Sequence, residues 1–332
     1  MNALFSLIAV IALVLVAMAG VKVANLHFLF GVVVPYAAFT TFIIGVIYRV
    51  LKWGSSPVPF RIPTTSGQQK SLPWIKHSKL DNPSGTAGVI GRMLLEVFLF
   101  RSLFSNTKFE LSDGPKVAQG SAKWLWLAGL AFHWSFLIVL LRHIRLFAEP
   151  VPAILHKIEI FDGFLQIGTP GLYISGVVLL LAVTYLFLRR VFIPLVRYIS
   201  LAADYFPLFL IMGIALSGII MRYFVKVDVV NVKHLTMGLV TFNTTVPQGI
   251  DVIFYIHLFL VSVLFAYIPF SKIMHMGGIF LSPTRNLANN SRVKRHINPW
   301  NYPVKVHTYE EYEDHFREKI KDHSTLPQPS LT

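Results

Sequence analysis

The sequence contains no cysteine among its 332 residues. This absence excludes disulfide bonds, thiolate-ligated iron–sulfur clusters, a thiol nucleophile and the Cys-x-x-Cys-His attachment of c-type haem. Any redox centre held by the chain must therefore be bound through histidine, methionine or another ligand without a thiol. The sequence also lacks an internal repeat, a glycine-rich phosphate loop, paired catalytic carboxylates and a Ser/His/Asp arrangement.

Charged residues are scarce as well. They make up 14% of the chain, against 54% hydrophobic residues, and the mean hydropathy is +0.60. A soluble domain of this size needs far more charge to cover its surface. Acidic residues number 16, against 30 lysines and arginines. The resulting charge of +14 does not indicate nucleic-acid binding, because no basic patch with interleaved aromatic residues accompanies it.

Six apolar runs are long enough to cross about 30 Å of hydrocarbon. They extend roughly over Leu4–Ala24, Phe28–Leu51, Trp124–Phe147, Gly168–Arg190, Leu201–Phe224 and Val252–Phe270. The chain is therefore predicted to be all-α, a polytopic membrane helix bundle of about six transmembrane helices. The first run lacks the basic n-region and the A-x-A-like cleavage site of a signal peptide, so we expect a retained helix.

Lysine and arginine are unevenly distributed between these runs. Segments 52–123, 189–197 and 272–295 carry most of them, whereas segments 148–167 and 225–250 carry few. Basic residues concentrate in cytoplasmic loops. The alternation therefore predicts a multi-pass protein of the cytoplasmic (inner) membrane with both termini in the cytoplasm.

Two further helices are predicted outside the spans. Val89–Phe104 alternates apolar residues with Arg92, Glu96 and Arg101, a pattern expected of a helix at the membrane interface. Thr308–His323 is predicted to be a short cytoplasmic helix that begins with a capping box formed by Thr308 and Glu311. The proline-rich end, Leu326–Thr332, is predicted to be disordered.

Four of the twelve histidines lie in or just after predicted spans. His133 and His143 belong to the third span, and His257 and His275 to the sixth and the residues after it. An ionisable residue inside a membrane is costly and indicates a functional site. The third span is expected to run outward and the sixth inward. His143 should therefore meet His257 near the outer face, and His133 should meet His275 near the inner face.

Each expected pair offers two imidazoles from antiparallel helices, as a bis-histidine haem iron requires. The two pairs of histidines are spaced differently along their helices. His257 and His275 are 18 residues apart, which is about 27 Å of helical rise, whereas His133 and His143 are ten residues apart, which is about 15 Å. We expect Pro269 to bend the sixth helix and the haem planes to tilt. Arg142, Arg145 and Lys272 are available as partners for haem propionates, or as interfacial cations that reach the water.

Other interpretations stay open at this point. A lone histidine in a span could form a hydrogen bond between helices and have no further role. A proton-relaying transporter or channel would be expected to show an inverted repeat and a carboxylate relay, which the sequence lacks. A cofactor-free membrane anchor for a soluble enzyme would leave the membrane histidines unexplained. A zinc site needs three or four ligands at one point, which two separated pairs do not offer.

The spacing His-x9-His followed by His-x17-His resembles the gamma-subunit family of respiratory nitrate reductases, which are dihaem cytochromes b. Several stretches are similar to its DsrM/HmeC branch, the membrane cytochromes b of Dsr-type complexes associated with sulfite reduction. They are FHWSFLIVLLRHIR at 132–145, FDGFLQIGTPGLY at 161–173, YISLAADYFPLFLIMGIALSGIIMRYF at 198–224 and the run YIPFSKIMHMGGIFLSPTRNLANNSRVKRHINPW that opens residues 267–319. The resemblance covers residues 28–320.

This resemblance implies a five-helix core like that of the nitrate reductase gamma subunit, plus one N-terminal helix. It implies two b-type haems ligated by the four histidines, and menaquinol oxidation near the outer face. Electrons would pass inward to a cytoplasmic iron–sulfur subunit of the heterodisulfide reductase type (DsrK-like) in dissimilatory sulfur metabolism. Further implied partners are the DsrP-, DsrJ- and DsrO-like membrane and multihaem c subunits of a DsrMKJOP complex.

The oxidation of a quinol needs a proton acceptor near the outer haem. Five residues in the outer segments or at the head of the sixth span are candidates; they are His156, Lys157, Glu159, Asp162 and Asp251. The predicted domains are the extra helix at 1–27, the dihaem domain at 28–271 with a cytoplasmic loop at 52–123, and a cytoplasmic tail at 272–332.

Overall fold

The structure is a computed structural model that describes residues 1–56, 67–111, 117–294, 303 and 305–324. Six of its helices are long and apolar enough to cross a membrane. They are Asn2–Lys22, Leu29–Gly54, Lys123–Leu146, Ile174–Phe192, Ala202–Val225 and Val252–Phe270. The predicted all-α bundle with about six spans is thereby confirmed. The segment Leu326–Thr332 lies outside the described residues.

The elements follow one another in this order: α1 (Asn2–Lys22), α2 (Val34–Gly54), α3 (Thr86–Leu99), α4 (Arg101–Phe104), β1 (Thr107–Leu111), β2 (Val117–Ser121), α5 (Lys123–His143), α6 (Ala153–Asp162), α7 (Ile174–Phe192), α8 (Pro194–Ile199), α9 (Ala202–Ile219), α10 (Val229–Thr241), α11 (Val252–Tyr267), α12 (His275–Leu281), α13 (Pro283–Asn286) and α14 (Tyr309–Ser324). The π-helical turns Leu29–Val33 and Ile220–Val225 adjoin α2 and α9. Strands β1 and β2 form an antiparallel hairpin in which Thr107 faces Ser121.

The fourth span begins six residues later than predicted, at Ile174 rather than Gly168. The residues before it form turns in which Gln166 has φ 50° and Gly168 has φ 79°. A positive φ cannot continue a right-handed helix. The apolar run therefore includes a turn that hydropathy alone does not reveal.

Helix α11 lies at the centre of the bundle and packs against α1, α2 and α9, while α7 packs against α5 and α9. Tyr255, Leu260 and Leu210 of this core are fully buried. On the outside, large apolar side chains are exposed, such as Ile44 at 62% and Leu181 at 65%. A continuous apolar exterior of this kind suits contact with lipid, because water would penalise it.

The sixth span is interrupted at Pro269. Helix α11 ends at Tyr267, a 3-10 turn covers Ile268–Phe270, and Ser271 is extended with φ −115° and ψ 175°. Proline has no N–H to donate and clashes with the preceding turn. The expected bend at Pro269 is confirmed, and it is a complete break. The rise of about 27 Å expected for a continuous helix therefore does not apply.

We name the two ends of the bundle by their residues. The basic end carries residues 67–121 and 272–294, and the far end carries α6 and α10. The far-end segments, expected as loops, contain these two helices, and Leu235 of α10 is almost fully buried. At the start of α14 the capping box is confirmed, since Glu311 N–H donates to Thr308 Oγ1 at 3.2 Å and Thr308 N–H donates to Glu311 Oε2 at 3.1 Å.

Candidate functional site

The structure brings His143 and His257 together at the far end. His143 is the last residue of α5, and His257 lies in the second turn of α11. The centres of the two imidazole rings are 6.2 Å apart, and the ring planes differ by 14°. We call these two residues the far pair.

A second pair lies toward the basic end. His133 of α5 faces His275, the first residue of α12, with ring centres 6.1 Å apart and planes at 82°. We call these two residues the basic pair. The break at Pro269 sets the position of His275, because it separates α12 from the axis of α11. Both pairings expected from the sequence are therefore present as contacts in space.

All four rings hold their Nδ1 atom in a hydrogen bond. Nδ1 of His133 lies 2.7 Å from Gly129 O, Nδ1 of His143 lies 2.7 Å from Val139 O, and Nδ1 of His275 lies 2.9 Å from Lys272 O. A carbonyl only accepts, so these Nδ1 atoms carry the proton. In a neutral imidazole the Nε2 lone pair is then available for a metal. This arrangement is the outer-shell support usual for metal-bound histidine.

The spacing of each pair fits one metal ion between two imidazoles. A metal–imidazole bond is about 2 Å long, and with about 1 Å from each nitrogen to its ring centre, two rings on opposite sides of one ion are roughly 6 Å apart. The observed distances are 6.1 and 6.2 Å. The four residues therefore fit two bis-histidine haems.

The histidine pairs join helices that are otherwise not closely packed against each other. Helix α5 packs against α7, and α11 packs against α1, α2 and α9; α5 and α11 are not close neighbours in the described bundle. His133, His143 and His275 keep accessible surface although they lie among the helices. No group of three or more His, Asp or Glu side chains able to hold a metal ion occurs in the described part of the chain. Each pair thus offers two ligands, which is what a porphyrin leaves open.

Helix α9 positions the ring of His257. Its Nδ1 lies 2.9 Å from Ser217 Oγ, and Ser217 Oγ in turn donates to Gly213 O at 2.8 Å. A Cβ atom added to Gly218 would lie 3.4 Å from His257 Cε1, so the ring lies directly against this glycine. Ser217 was not identified from the sequence, although a polar residue in an apolar span is a signal that could have found it.

We expect Ser217→Ala to weaken retention of a metal group at the far pair by roughly 10-fold to 100-fold, as the loss of an outer-shell partner commonly does. Dilution of the purified protein, followed by its absorption spectrum, measures this retention. Ser262→Ala is the matched control, because Ser262 is also buried in a span but donates only to Leu258 O. An equal loss in both variants would indicate general destabilisation instead.

Three aromatic residues join α5 to the end of α3 at the basic end. The ring of Phe100 meets His133 edge-on at 4.8 Å. Trp126 Nε1 donates to Leu99 O at 2.7 Å, and Trp134 Nε1 donates to Phe98 O at 3.0 Å. The sequence does not reveal these contacts, because they join α5 to a helix about 30 residues earlier in the chain.

The three cations expected near haem propionates each have a carboxylate partner. Arg142 Nε lies 2.7 Å from Asp162 Oδ2, Arg145 Nη1 lies 2.6 Å from Glu159 Oε1, and Lys272 Nζ lies 2.6 Å from Asp204 Oδ1. The pair Arg142–Asp162 is buried, with 11% and 4% of the side chains exposed. A role of these cations toward propionates stays a prediction.

The candidates for a quinone site are spread over different positions at the far end. Asp162 is buried and also accepts from Ser175 N–H at 2.7 Å and Ser175 Oγ at 2.6 Å. Asp251 caps α11 through Ile253 N–H at 2.9 Å. Lys157 is exposed and makes no ion pair with any described residue.

The remaining two candidates are neighbours. His156 Nδ1 lies 3.9 Å from Glu159 Oε2, and the His156 side chain is 57% exposed. Glu159 is 15% exposed. An accessible imidazole close to a mostly buried carboxylate can link a proton acceptor to water.

Two arginines lie close to the aromatic ring of Tyr173, in the segment before α7. The guanidinium carbons of Arg142 and Arg222 lie 3.8 and 4.0 Å from the ring centre of Tyr173. Both distances are within the range of cation–π contacts. Tyr173 N–H also donates to Tyr223 Oη at 2.8 Å. These contacts fix the segment before α7 beside the far pair's helix α5.

Charges at the basic end are paired within the protein. Burial by itself raises the pKa of Asp81, but hydrogen bonds from Arg101 and Ser78, with the charge of Arg101, lower that pKa below its usual value. Arg285 Nη1 lies 3.5 Å from Glu96 Oε1. These groups connect residues 67–106 with the segment after α12.

Comparison with known proteins identifies the family of the chain. A family model for the nitrate reductase gamma subunit matches residues 116–296. An Archaeoglobus fulgidus protein named "Hdr-like menaquinol oxidoreductase cytochrome b-like subunit" is 48% identical over 279 residues, which cover 82% of this chain and 83% of that relative. The chain belongs to the nitrate reductase gamma subunit family. An Archaeoglobus profundus protein of the same name is 42% identical over 273 residues, covering 80% of this chain and 81% of that relative.

The region matched by the gamma-subunit model contains both histidine pairs, the far-end helices and the break at Pro269. Membership of this family, together with six candidate spans, makes the chain a multi-pass membrane protein. The family part of the resemblance stated above is thereby confirmed. Its narrower part, the DsrM/HmeC branch, stays a prediction.

Proposed function

We propose that this chain is the dihaem cytochrome b subunit of a quinol-dependent oxidoreductase complex. It would oxidise menaquinol near the outer face and pass electrons through two b haems to a cytoplasmic iron–sulfur subunit. The observation that carries the proposal is the spacing of the two histidine pairs, 6.1 and 6.2 Å between ring centres, with every Nδ1 in a hydrogen bond. His133 with His275, and His143 with His257, would be the axial ligands.

The two haems, when bound, would supply one-electron carriers at two depths of the membrane, with potentials set by their ligands and surroundings. The chain contributes the rest. Gly129 O, Val139 O, Lys272 O and Ser217 Oγ orient the imidazoles. The apolar rings of Phe100 and Phe132 contact His133.

The basic end would be cytoplasmic. It carries the lysine- and arginine-rich segments, and the far end carries few basic residues, as the positive-inside rule requires. Both termini would then lie in the cytoplasm, with the domain boundaries at 27 and 271 proposed above. The far pair would lie near the outer face and the basic pair nearer the cytoplasm.

The substrate and partner are proposed from the relatives' names together with the chain's own residues. Both Archaeoglobus relatives are named as menaquinol oxidoreductase subunits of an Hdr-like type. The partner at the basic end would be an iron–sulfur subunit of the heterodisulfide reductase type, DsrK-like in a Dsr complex of sulfur metabolism. The absence of cysteine means that this chain holds no thiolate-ligated cluster, so a second subunit must provide it.

The spectrum of the purified protein tests the proposal. We expect a b-type reduced-minus-oxidised spectrum and two haems per chain by the pyridine haemochrome assay. A protein isolated without haem from a host that inserts haem into other cytochromes would end the dihaem proposal. A proton-relaying transporter or a cofactor-free anchor subunit would give that result.

Glu159 is the proposed proton acceptor for quinol, through His156 to the water. Glu159→Gln is expected to leave the haem content unchanged and to slow haem reduction by a menaquinol analogue by roughly 100-fold or more, the usual contribution of a general base. Glu149→Gln is the matched control, because Glu149 is also a far-end carboxylate paired with a cation, Lys233. Equal reduction rates in the parent and in Glu159→Gln would exclude this residue as the acceptor.

A further inference from the structure

Helix α3 carries its apolar side chains on the outside. Ile90, Leu94 and Phe98 are 56%, 53% and 46% exposed. Residues four apart share one face of a helix, so these three form a continuous apolar stripe. A helix lying on a water-covered surface would turn this stripe toward the protein.

The charged residues of α3 point toward the protein instead. Arg92 is only 4% exposed, and its Nη1 has no hydrogen-bond partner among the described residues. The Glu96 side chain is 13% exposed; it lies 3.5 Å from Arg285 Nη1 and accepts from Ser102 Oγ at 2.8 Å. The polarity of α3 is therefore inverted relative to a helix at a protein–water boundary.

Two tryptophans fix the depth of this helix. Trp126 and Trp134 of α5 bind the last carbonyls of α3, at Leu99 and Phe98. They lie three and eleven residues beyond Lys123, which is about 4 to 16 Å of helical rise. Because α5 is a candidate span that begins at Lys123, the end of α3 lies at the level of the hydrocarbon rather than of the water.

The hydrogen bonding of the helix end agrees with this depth. The last carbonyls of a helix have no partner within it, and in hydrocarbon no water satisfies them. Here the indole N–H groups do so. Phe100 then ends the helix in the left-handed conformation, φ 50°, a position that usually takes glycine. Its ring reaches His133 at 4.8 Å.

We propose that residues 86–104 form a re-entrant segment in the leaflet at the basic end, whose stripe of Ile90, Leu94 and Phe98 contacts phospholipid acyl chains. The stripe continues into the exposed surface of α5, since Phe98 lies 6.1 Å from the 41% exposed Trp134 by ring centres. Leu127 and Leu137 extend that surface along the same span. This inference is independent of haem binding, because it rests on exposure and on the contacts with α5.

The cysteine-free sequence makes the test direct, because every single-cysteine variant has one thiol. Ile90→Cys and Leu94→Cys, labelled with a fluorophore in proteoliposomes, are expected to be quenched by lipids with doxyl groups on their acyl chains. The quenching should match that of Leu127→Cys on α5. In membranes, a water-soluble maleimide should modify both at least about tenfold more slowly than Glu313→Cys on α14, because hydrocarbon disfavours the reactive thiolate.

Two results would overturn the proposal. Maleimide reaction of Leu94→Cys as fast as that of Glu313→Cys would place the stripe in water. In the full complex, the labels at both positions could instead be quenched by neither the lipid quencher nor an aqueous quencher. That result would mean that a partner subunit covers the stripe. Labels quenched by lipid at both positions support the re-entrant segment. The control for folding is that each variant elutes in the same way as the parent protein.

Discussion

Purified protein with His257 replaced by alanine is expected to bind one b haem per chain instead of two. The substitution removes one axial ligand of the far pair, while the basic pair, formed by His133 and His275, keeps both. His275→Ala is expected to remove the other haem. Pyridine haemochrome counts measure the loss, and a redox titration of the remaining haem shows which one stays.

The ring planes offer a second measurement on the same variants. They are nearly parallel in the far pair, at 14°, and nearly perpendicular in the basic pair, at 82°. Perpendicular imidazoles leave two iron d orbitals closer in energy than parallel ones, which raises the largest g value of the ferric haem. His257→Ala should therefore retain the signal with the larger g value, and His275→Ala the other.

His156→Ala is the control for these variants, because His156 is 57% exposed and lies outside both pairs. It should retain two haems. Retention of two haems by His257→Ala would contradict the assignment of the far pair. Loss of both haems from His257→Ala would show that the variant does not fold with its basic pair intact, and His257→Met, which offers another axial ligand, would then separate ligation from folding.

The second large effect is expected at the buried ion pair of the far end. Asp162→Ala leaves the Arg142 guanidinium buried without its carboxylate and removes the acceptor of two bonds from Ser175. Breaking a buried pair from one side commonly costs about 3–5 kcal/mol. Denaturant or thermal unfolding in detergent, followed by the haem absorbance, measures the change in free energy.

Glu149→Ala provides the comparison, since Glu149 is 62% exposed and pairs with Lys233 at the same end. Exposed pairs contribute about 0.2–1 kcal/mol, so this variant should unfold close to the parent. A loss under about 1 kcal/mol for Asp162→Ala would mean that Arg142 has a second anionic partner. A haem propionate, expected near Arg142 from the sequence, would be such a partner.

The sequence predicted the larger features of the site. Hydropathy is a local property, so the apolar runs located the spans to within a few residues, apart from the start of α7. The spacing of His133 and His143 along one helix, and the reversal of direction in the sixth span, were sufficient to pair them with His275 and His257. The proline at 269 indicated where the sixth span departs from a straight helix.

The amino-acid sequence by itself determined that this is a membrane bundle with three histidines on two of its spans and a fourth just after the second of them, because helical rise and hydrophobicity depend only on neighbouring residues. Only the tertiary structure decided that Ser217 of α9 holds the Nδ1 atom of His257, 40 residues away. It also decided that α3 turns Arg92 inward and Leu94 outward. Both outcomes depend on contacts between residues far apart in the chain, which no local pattern records.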